Sequence, residues 1–194
     1  MARGNSSYFH YIHFIAKRQR GFTLLELVIA VSVMSILIAM AAPSFSQLIE
    51  TNKIKRLATE VEWFLVQAKS EAVMRNQDIH IKRLNGPDVN QWCLFATLSA
   101  YVGSDCSVEP TDVIAQVVSD SFTQATLEPS SKLDSFLFEP TYGKPENAAL
   151  GGNYEYGVGN YSFKTVLYTP TGRLYTCILK PDQTSLKLGG YEKC

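Results

Sequence analysis

The 194-residue chain is 46% apolar and 19% charged, with ordinary counts of glycine (12) and proline (8). That composition excludes a disordered tail, a collagen-like repeat and a minimal disulfide scaffold, and it allows one domain of about 100–200 residues with its own core. The formal charge is zero, but residues 1–21 hold four bases (Arg3, Lys17, Arg18, Arg20) and no acid. The remainder therefore carries 14 bases against 18 acids, a balance that argues against nucleic-acid binding driven by bulk charge.

The first predicted element follows that basic cluster. From Phe22 to Ala42 the sequence reads FTLLELVIAVSVMSILIAMAA, 21 residues with a single charge at Glu26. As a helix it would be about 31 Å long, the thickness of a bilayer's hydrocarbon core. The basic cluster would stay on the cytoplasmic side, with the body from Pro43 onward on the other. A secretory signal peptide also has a basic start and an apolar core, and Ala39, Ala41 and Ala42 supply a small-residue cleavage site; its apolar region is normally shorter than this one. A carboxylate such as Glu26 at bilayer depth costs about 2.5–3.5 kcal/mol and usually marks a function. The plainer alternative leaves it among the headgroups.

Arg20-Gly21-Phe22-Thr23-Leu24-Leu25-Glu26-Leu27 resembles the prepilin processing site of type IV pilins and type II secretion pseudopilins. The resemblance implies cleavage by a prepilin peptidase after Gly21, N-methylation of the new terminus at Phe22, and Glu26 as the family's acidic fifth mature residue. That glutamate would meet the terminal amine of a neighbouring subunit and set axial register. Residues 1–21 would be the leader, longer than is common in the type IVa group, although Phe22 matches that group. Pro43 falls where pilins kink the helix as it leaves the membrane. A glycine before the cut lets the backbone enter a narrow active site. A buried amine–carboxylate pair is worth more than a surface pair only when both charges are matched.

Beyond Pro43, Ile54, Leu57, Ala58, Val61, Phe64, Leu65, Ala68 and Ala72 recur at helical spacing and predict one apolar face. The charged residues Lys53, Lys55, Glu60, Glu62 and Lys69 lie largely off it. A helix over residues 22–75, with its transmembrane half at 22–42, would run about 80 Å at helical rise. Ala68-Lys69-Ser70-Glu71-Ala72-Val73 resembles a segment of the GspH/FimT branch of pilin-like proteins.

After Arg75, short runs rich in β-branched and aromatic residues predict strands at 79–81, 92–95, 113–118, 136–138, 163–168, 174–179 and 186–188, with turn residues between them. The expected fold class is α+β: a long N-terminal helix packed on antiparallel sheets of six to eight strands, with residues 76–194 as the β-rich domain. The resemblance implies the same pilin-like architecture. The Tyr- and Gly-rich stretch 142–161 is expected to be a long surface loop. Its Tyr142, Tyr154, Tyr156 and Tyr161 would serve either a partner interface or packing on the sheet.

Cys93, Cys106, Cys177 and Cys194 all fall in the part expected outside the cytoplasm, where an even count favours disulfides. Of three connectivities, the neighbour pairs 93–106 and 177–194 each close a modest loop. A zinc site is the alternative, but there is no Cys-x-x-Cys, and His80 is the one histidine outside the leader. No hydrolase elbow, phosphate loop or metal-binding His pair occurs, and Gly157-Val158-Gly159 has no helix after it. Neither an enzyme nor a cofactor is expected.

Some FimT-like minor pilins bind DNA through a C-terminal Gly-Arg-x-Arg motif. The matching positions here are Gly172-Arg173-Leu174-Tyr175, without the second arginine. Arg173 is a candidate DNA contact, with Lys164, Lys180 and Lys187 as supplements and Tyr175 as a stacking ring; a turn glycine followed by a strand arginine is the plainer reading. The resemblance thus implies a non-enzymatic minor type IV pilin of an initiation or tip complex. It would be a single-pass inner-membrane protein with its C-terminal domain in the periplasm, and its partners would be other minor pilins, the major pilin and the prepilin peptidase. The alternatives are a GspH-like minor pseudopilin of type II secretion and a DNA-binding minor pilin.

Overall fold

The computed structural model describes residues 21–88, 90–129, 133–146, 152–168, 170–181 and 190–194. The chain divides into two units, Met1–Pro43 and Ser44–Cys194, and one helix, α1 (Leu24–Arg75), contributes to both. In the first unit every described helical side chain from Leu24 to Ala41 is exposed. This is the one described helix long and apolar enough to cross a membrane.

In the second unit the helix has a buried stripe. Ile54, Leu57, Ala58, Val61, Leu65, Ala68 and Ala72 have no exposed surface and Phe64 almost none. Each large member contributes about 1.5–3 kcal/mol when fully covered. The helix stops in a Schellman arrangement. Asn76 takes the left-handed conformation (φ 51°), and the Gln77 N–H reaches back to the Ala72 carbonyl at 3.2 Å, satisfying the last turn without a glycine.

Ten strands follow among the described residues: β1 (Ile79–Asn85), β2 (Trp92–Thr97), β3 (Val113–Val118), β4 (Thr126–Pro129), β5 (Ser135–Phe138), β6 (Pro145–Glu146), β7 (Gly152–Val158), β8 (Tyr161–Tyr168), β9 (Arg173–Pro181) and β10 (Glu192–Lys193). They form two five-stranded sheets, ordered β3-β2-β1-β5-β6 and β10-β9-β8-β7-β4. One apolar cluster joins the α1 stripe to inward residues of both, among them Ile81, Trp92 and Phe138 from the first sheet and Tyr156, Phe163 and Ile178 from the second.

Three features differ from the expectations. Residues 152–161 are not a surface loop: β7 is paired on both sides, with β4 and β8. Tyr154, Tyr156 and Tyr161 are buried and Tyr142 alone of the four is exposed, so three of the four tyrosines pack the core instead of meeting a partner. The signal was present as alternation, because Gly152, Tyr154, Tyr156 and Val158 all point inward. The strands outnumber the expected six to eight because β4, β6 and β10 are only two to four residues long. Finally, β10 pairs with β9 in parallel, whereas every other pairing among the described residues is antiparallel. The strand expected at 186–188 lies outside the described residues.

Several buried polar groups link the layers, among them Trp92 Nε1, which donates to the Ala125 carbonyl at 3.0 Å, and Tyr154 Oη, which donates to the Leu133 carbonyl at 2.8 Å. Arg83 on β1 is buried, and its guanidinium donates to Asp134 (3.1 Å), Asn85 (2.6 Å) and the Leu127 carbonyl of β4 (3.1 Å), which ties the two sheets together. From the other side, Tyr156 Oη, Thr165 Oγ1 and Thr176 Oγ1 form a chain with links of 2.8 and 2.9 Å, ending at Glu62 Oε2 of α1 (3.2 Å). A carboxylate only accepts, so Thr176 donates to Glu62, Thr165 to Thr176 and Tyr156 to Thr165.

Burial raises the phenol of Tyr154 well above the ordinary tyrosine range, and burial does the same to Tyr156 against the pull of the hydroxyl chain it joins at Thr165. Both rings stay protonated in the folded state where the unfolded chain ionises. Their contribution is therefore whole below about pH 10 and is lost as pH climbs beyond it. Absorbance titration at 295 nm should show at least two phenols silent at pH 11 in the folded chain and all of them ionising in denaturant. Arg83→Ala should destabilise on the order of 3 kcal/mol, since it strands the buried Leu127 carbonyl and leaves a cavity; thermal unfolding of the detergent-solubilised chain measures this.

Candidate functional site

The N-terminal segment is built by capping chemistry. Thr23 precedes the first helical residue, and its Oγ1 accepts the Glu26 N–H at 3.2 Å, while the Leu27 N–H bonds the Thr23 carbonyl at 3.1 Å. Thr23-x-x-Glu26 is a capping-box sequence, with Thr23 at N-cap and Glu26 at N3. The glutamate sits in the first turn, where the helix macrodipole favours a negative charge by about 0.3–1 kcal/mol. Sequence reading for processing alone missed this second role, although the T-x-x-E spacing announces it. Just ahead, Gly21 has open space where a Cβ would stand, and Phe22 is 80% exposed.

In the second unit, disulfides join Cys93 to Cys106 and Cys177 to Cys194. The first ties the 98–112 connection to β2, beside a small cluster of Leu84, Cys93 and Phe95. The second holds β10 on β9, where the Cys194 N–H also bonds the Ile178 carbonyl at 3.0 Å. Ser99 donates to Asp112 from both its N–H and its hydroxyl, and the hydroxyl bond above all holds that carboxyl below its usual range. His80 is half-buried on β1. Among the described residues no three His, Cys, Asp or Glu side chains gather as a metal site would need.

Arg173 opens β9, opposite Tyr168 on β8. The turn before it is fastened to α1. Lys69 Nζ donates to the Gly172 carbonyl at 3.1 Å, and its side chain lies under two left-handed glycines, Gly143 (φ 61°) and Gly172 (φ 62°). A Cβ at Gly143 would stand 2.8 Å from Lys69 Cγ, and one at Gly172 would stand 3.0 Å from the Gly143 carbonyl oxygen. Of the lysines expected to supplement Arg173, Lys164 is paired with Glu155 at 3.4 Å. The Lys180 side chain and Lys187 lie outside the described residues. Tyr175 is about half-exposed beside Val166 in the register.

Two family models match the chain in tandem: "Prokaryotic N-terminal methylation motif" over residues 16–42 and "Type II transport protein GspH" over residues 57–172. The second spans more than half of the sequence, and the chain belongs to the GspH family of pilin-like proteins. Its members are structural subunits, and family membership implies processing by a prepilin peptidase and assembly with other pilins. Two crystal structures of the Pseudomonas aeruginosa type IV minor pilin FimU are similar to it. One is 18% identical over 72% of this chain and 97% of the other, with TM-score 0.49. The second is 16% identical over 63% and 90%, with TM-score 0.46. No curated protein matches.

The Lys69 clasp yields a stability prediction. Gly172→Ala places a Cβ in a left-handed residue and against the Gly143 carbonyl, a cost of about 1–2 kcal/mol from the backbone conformation alone. The melting temperature of the full chain should fall by about 2–8 °C, read by differential scanning calorimetry in detergent.

Proposed function

We propose that the chain is a minor type IV pilin of the FimT/FimU kind, a non-enzymatic subunit of a pilus initiation or tip complex. The observation that carries this reading is the order of the two family matches, a methylation motif on the apolar segment followed by a GspH-type body. On this reading residues 1–21 are a leader, residues 22–42 anchor the subunit in the inner membrane, and the β-rich residues 76–194 stand in the periplasm until the subunit enters the pilus. Prepilin peptidase cuts after Gly21, and Phe22 becomes the methylated terminus. The open backbone around Gly21 supports that role, because a peptidase needs an unobstructed extended segment.

The assembly step falls to Glu26. Once Phe22 carries a free amine, an incoming subunit brings that cation to the carboxylate of a subunit already in place. The site is apolar, and an unmatched charge there costs several kcal/mol. Capping holds the carboxylate in the first helical turn and so fixes its height, which makes the pair a register mark.

A second reading is favoured by the description of the matched family: a minor pseudopilin of type II secretion. Deletion of the gene separates the two, since the pilus reading expects loss of surface pili with secreted proteins at parental levels, and the secretion reading expects the reverse.

Intact-mass analysis of membrane-extracted protein should give a chain beginning at methylated Phe22. A terminus after Ala42 would refute the processing and the anchor together. Glu26→Ala and Glu26→Gln then divide charge pairing from capping. If the carboxylate pairs with a neighbour's amine, both variants are cleaved normally and both lose incorporation by more than a hundredfold, as a penalty of about 3–5 kcal/mol requires. Near-parental assembly of Glu26→Gln, normalised to its membrane level, would leave Glu26 an acidic first-turn residue with no pairing role.

A further inference from the structure

Between β2 and β3 the chain runs from Leu98 to Asp112 without a strand or helix, and connections of about 15 residues with no regular structure are usually either functional or disordered. This one is braced throughout. Cys106 is bonded to Cys93 of β2. Ser99 holds Asp112 by two hydrogen bonds, which closes the base of the loop. Asp105 Oδ1 accepts the Ser107 N–H at 2.8 Å. The Tyr101 ring packs edge-on against Phe95 with centroids 5.8 Å apart, and its hydroxyl donates to the Val108 carbonyl at 2.5 Å. That bond ties the stretch carrying Val102 to the stretch carrying Val108. Gly103 lies against the same ring, since a Cβ there would stand 2.2 Å from Tyr101 Cζ.

The large apolar side chains of the loop divide into two sets. Leu98 packs on the main core, and Tyr101 and Cys106 pack on the small cluster of Leu84, Cys93 and Phe95. Val102 and Val108 belong to neither cluster. Val102 is 92% exposed, more than any large apolar side chain of α1, and Val108 is 64% exposed. A lone exposed valine calls for no explanation. Two of them on a loop whose conformation is already fixed are different, because bracing removes the ordering cost that binding would otherwise carry. The charge of the loop narrows what fits. It holds three acids, Asp105, Glu109 and Asp112, and no base, and among the described residues none of the three is ion-paired with a lysine or arginine. Such a field repels nucleic acid and anionic lipid, and it repels the same loop of a second copy. Small ligands favour concave sites, whereas side chains that project from a loop need a recess in the partner. A recess with a cationic rim complements both features.

We infer that residues 98–112 form a preformed recognition loop that seats Val102 and Val108 in an apolar recess of a different protein, with lysine or arginine at the rim of that recess facing Asp105 and Glu109. The inference goes beyond the subunit reading above and stands without it. The disulfide and the Tyr101 hydroxyl set the shape of the loop, the valines supply the buried contact, and the acids select the partner.

The test uses the full-length chain in its own host, with the photocrosslinking residue benzoylphenylalanine placed at Val102, at Val108, or at the exposed Tyr142 as a control. Crosslinked peptides are identified by mass spectrometry. The expected result is that positions 102 and 108, but not 142, reach one and the same protein, at a segment with a lysine or arginine beside the contact. Glu109 is exposed, so Glu109→Lys leaves the fold intact, and it should lower the yield by about tenfold through like-charge repulsion. Reversing the facing base of the partner to glutamate should restore it. Tyr101→Phe keeps the ring on Phe95 but frees Val108, and it should weaken the crosslink from position 108 more than that from position 102. Crosslinks to lipid, nucleic acid or a second copy of the chain, different proteins from positions 102 and 108, the same protein from position 142, or none at all would overturn the inference. A shared partner whose yield ignores Glu109→Lys would overturn it as well.

Discussion

The second unit depends on one geometric constraint: a single helical stripe must cover the inner faces of two sheets. Eight side chains of α1 between Ile54 and Ala72 do this, and three of the eight are alanines. Small residues let the helix lie close to the large rings that the sheets send inward, such as Trp92, Tyr154 and Phe163, so the bulk of the core comes from the strands. Polar links add to the apolar contact. Arg83 binds sheet to sheet, and the Tyr156–Thr165–Thr176–Glu62 chain binds sheet to helix. Each link fixes a relation that apolar contact alone leaves free to slide.

The same helix has two kinds of surface along its length, an apolar segment long enough to cross a membrane and an amphipathic segment packed on the sheets. Where it is apolar all round, its side chains are exposed, and the only charge stands in the first turn under Thr23. Where it is amphipathic, its inner stripe is spent on the sheets and its outer face still holds Trp63 and Met74. That outer face is mixed, with Arg56, Glu60, Gln67 and Ser70 exposed alongside the two large apolar side chains.

Much of this was legible in the sequence, and for identifiable reasons. The helical period from Ile54 to Ala72 named every buried residue of the stripe, since one-sided burial is what creates that period. The prepilin-like motif pointed to the family that the two matches establish. What escaped was carried by weak or misleading local chemistry. β7 is rich in glycine and tyrosine, which reads as loop, yet its alternation was intact. β10 is two charged residues held by a disulfide partner and a parallel neighbour, neither visible in local propensity. The Lys69 clasp was out of reach because it joins Lys69 to Gly143 and Gly172, an adjacency that only folding creates.

The clasp at Lys69 leaves little room around it. Its side chain lies against the place where a Cβ at Gly143 would stand, and a Cβ at Gly172 would crowd the Gly143 carbonyl. Both glycines also take the left-handed conformation, which other residues rarely adopt. A side chain at either turn would therefore strain the backbone and displace the lysine at once, so the three positions act as one structural unit that joins the helix to two separate turns.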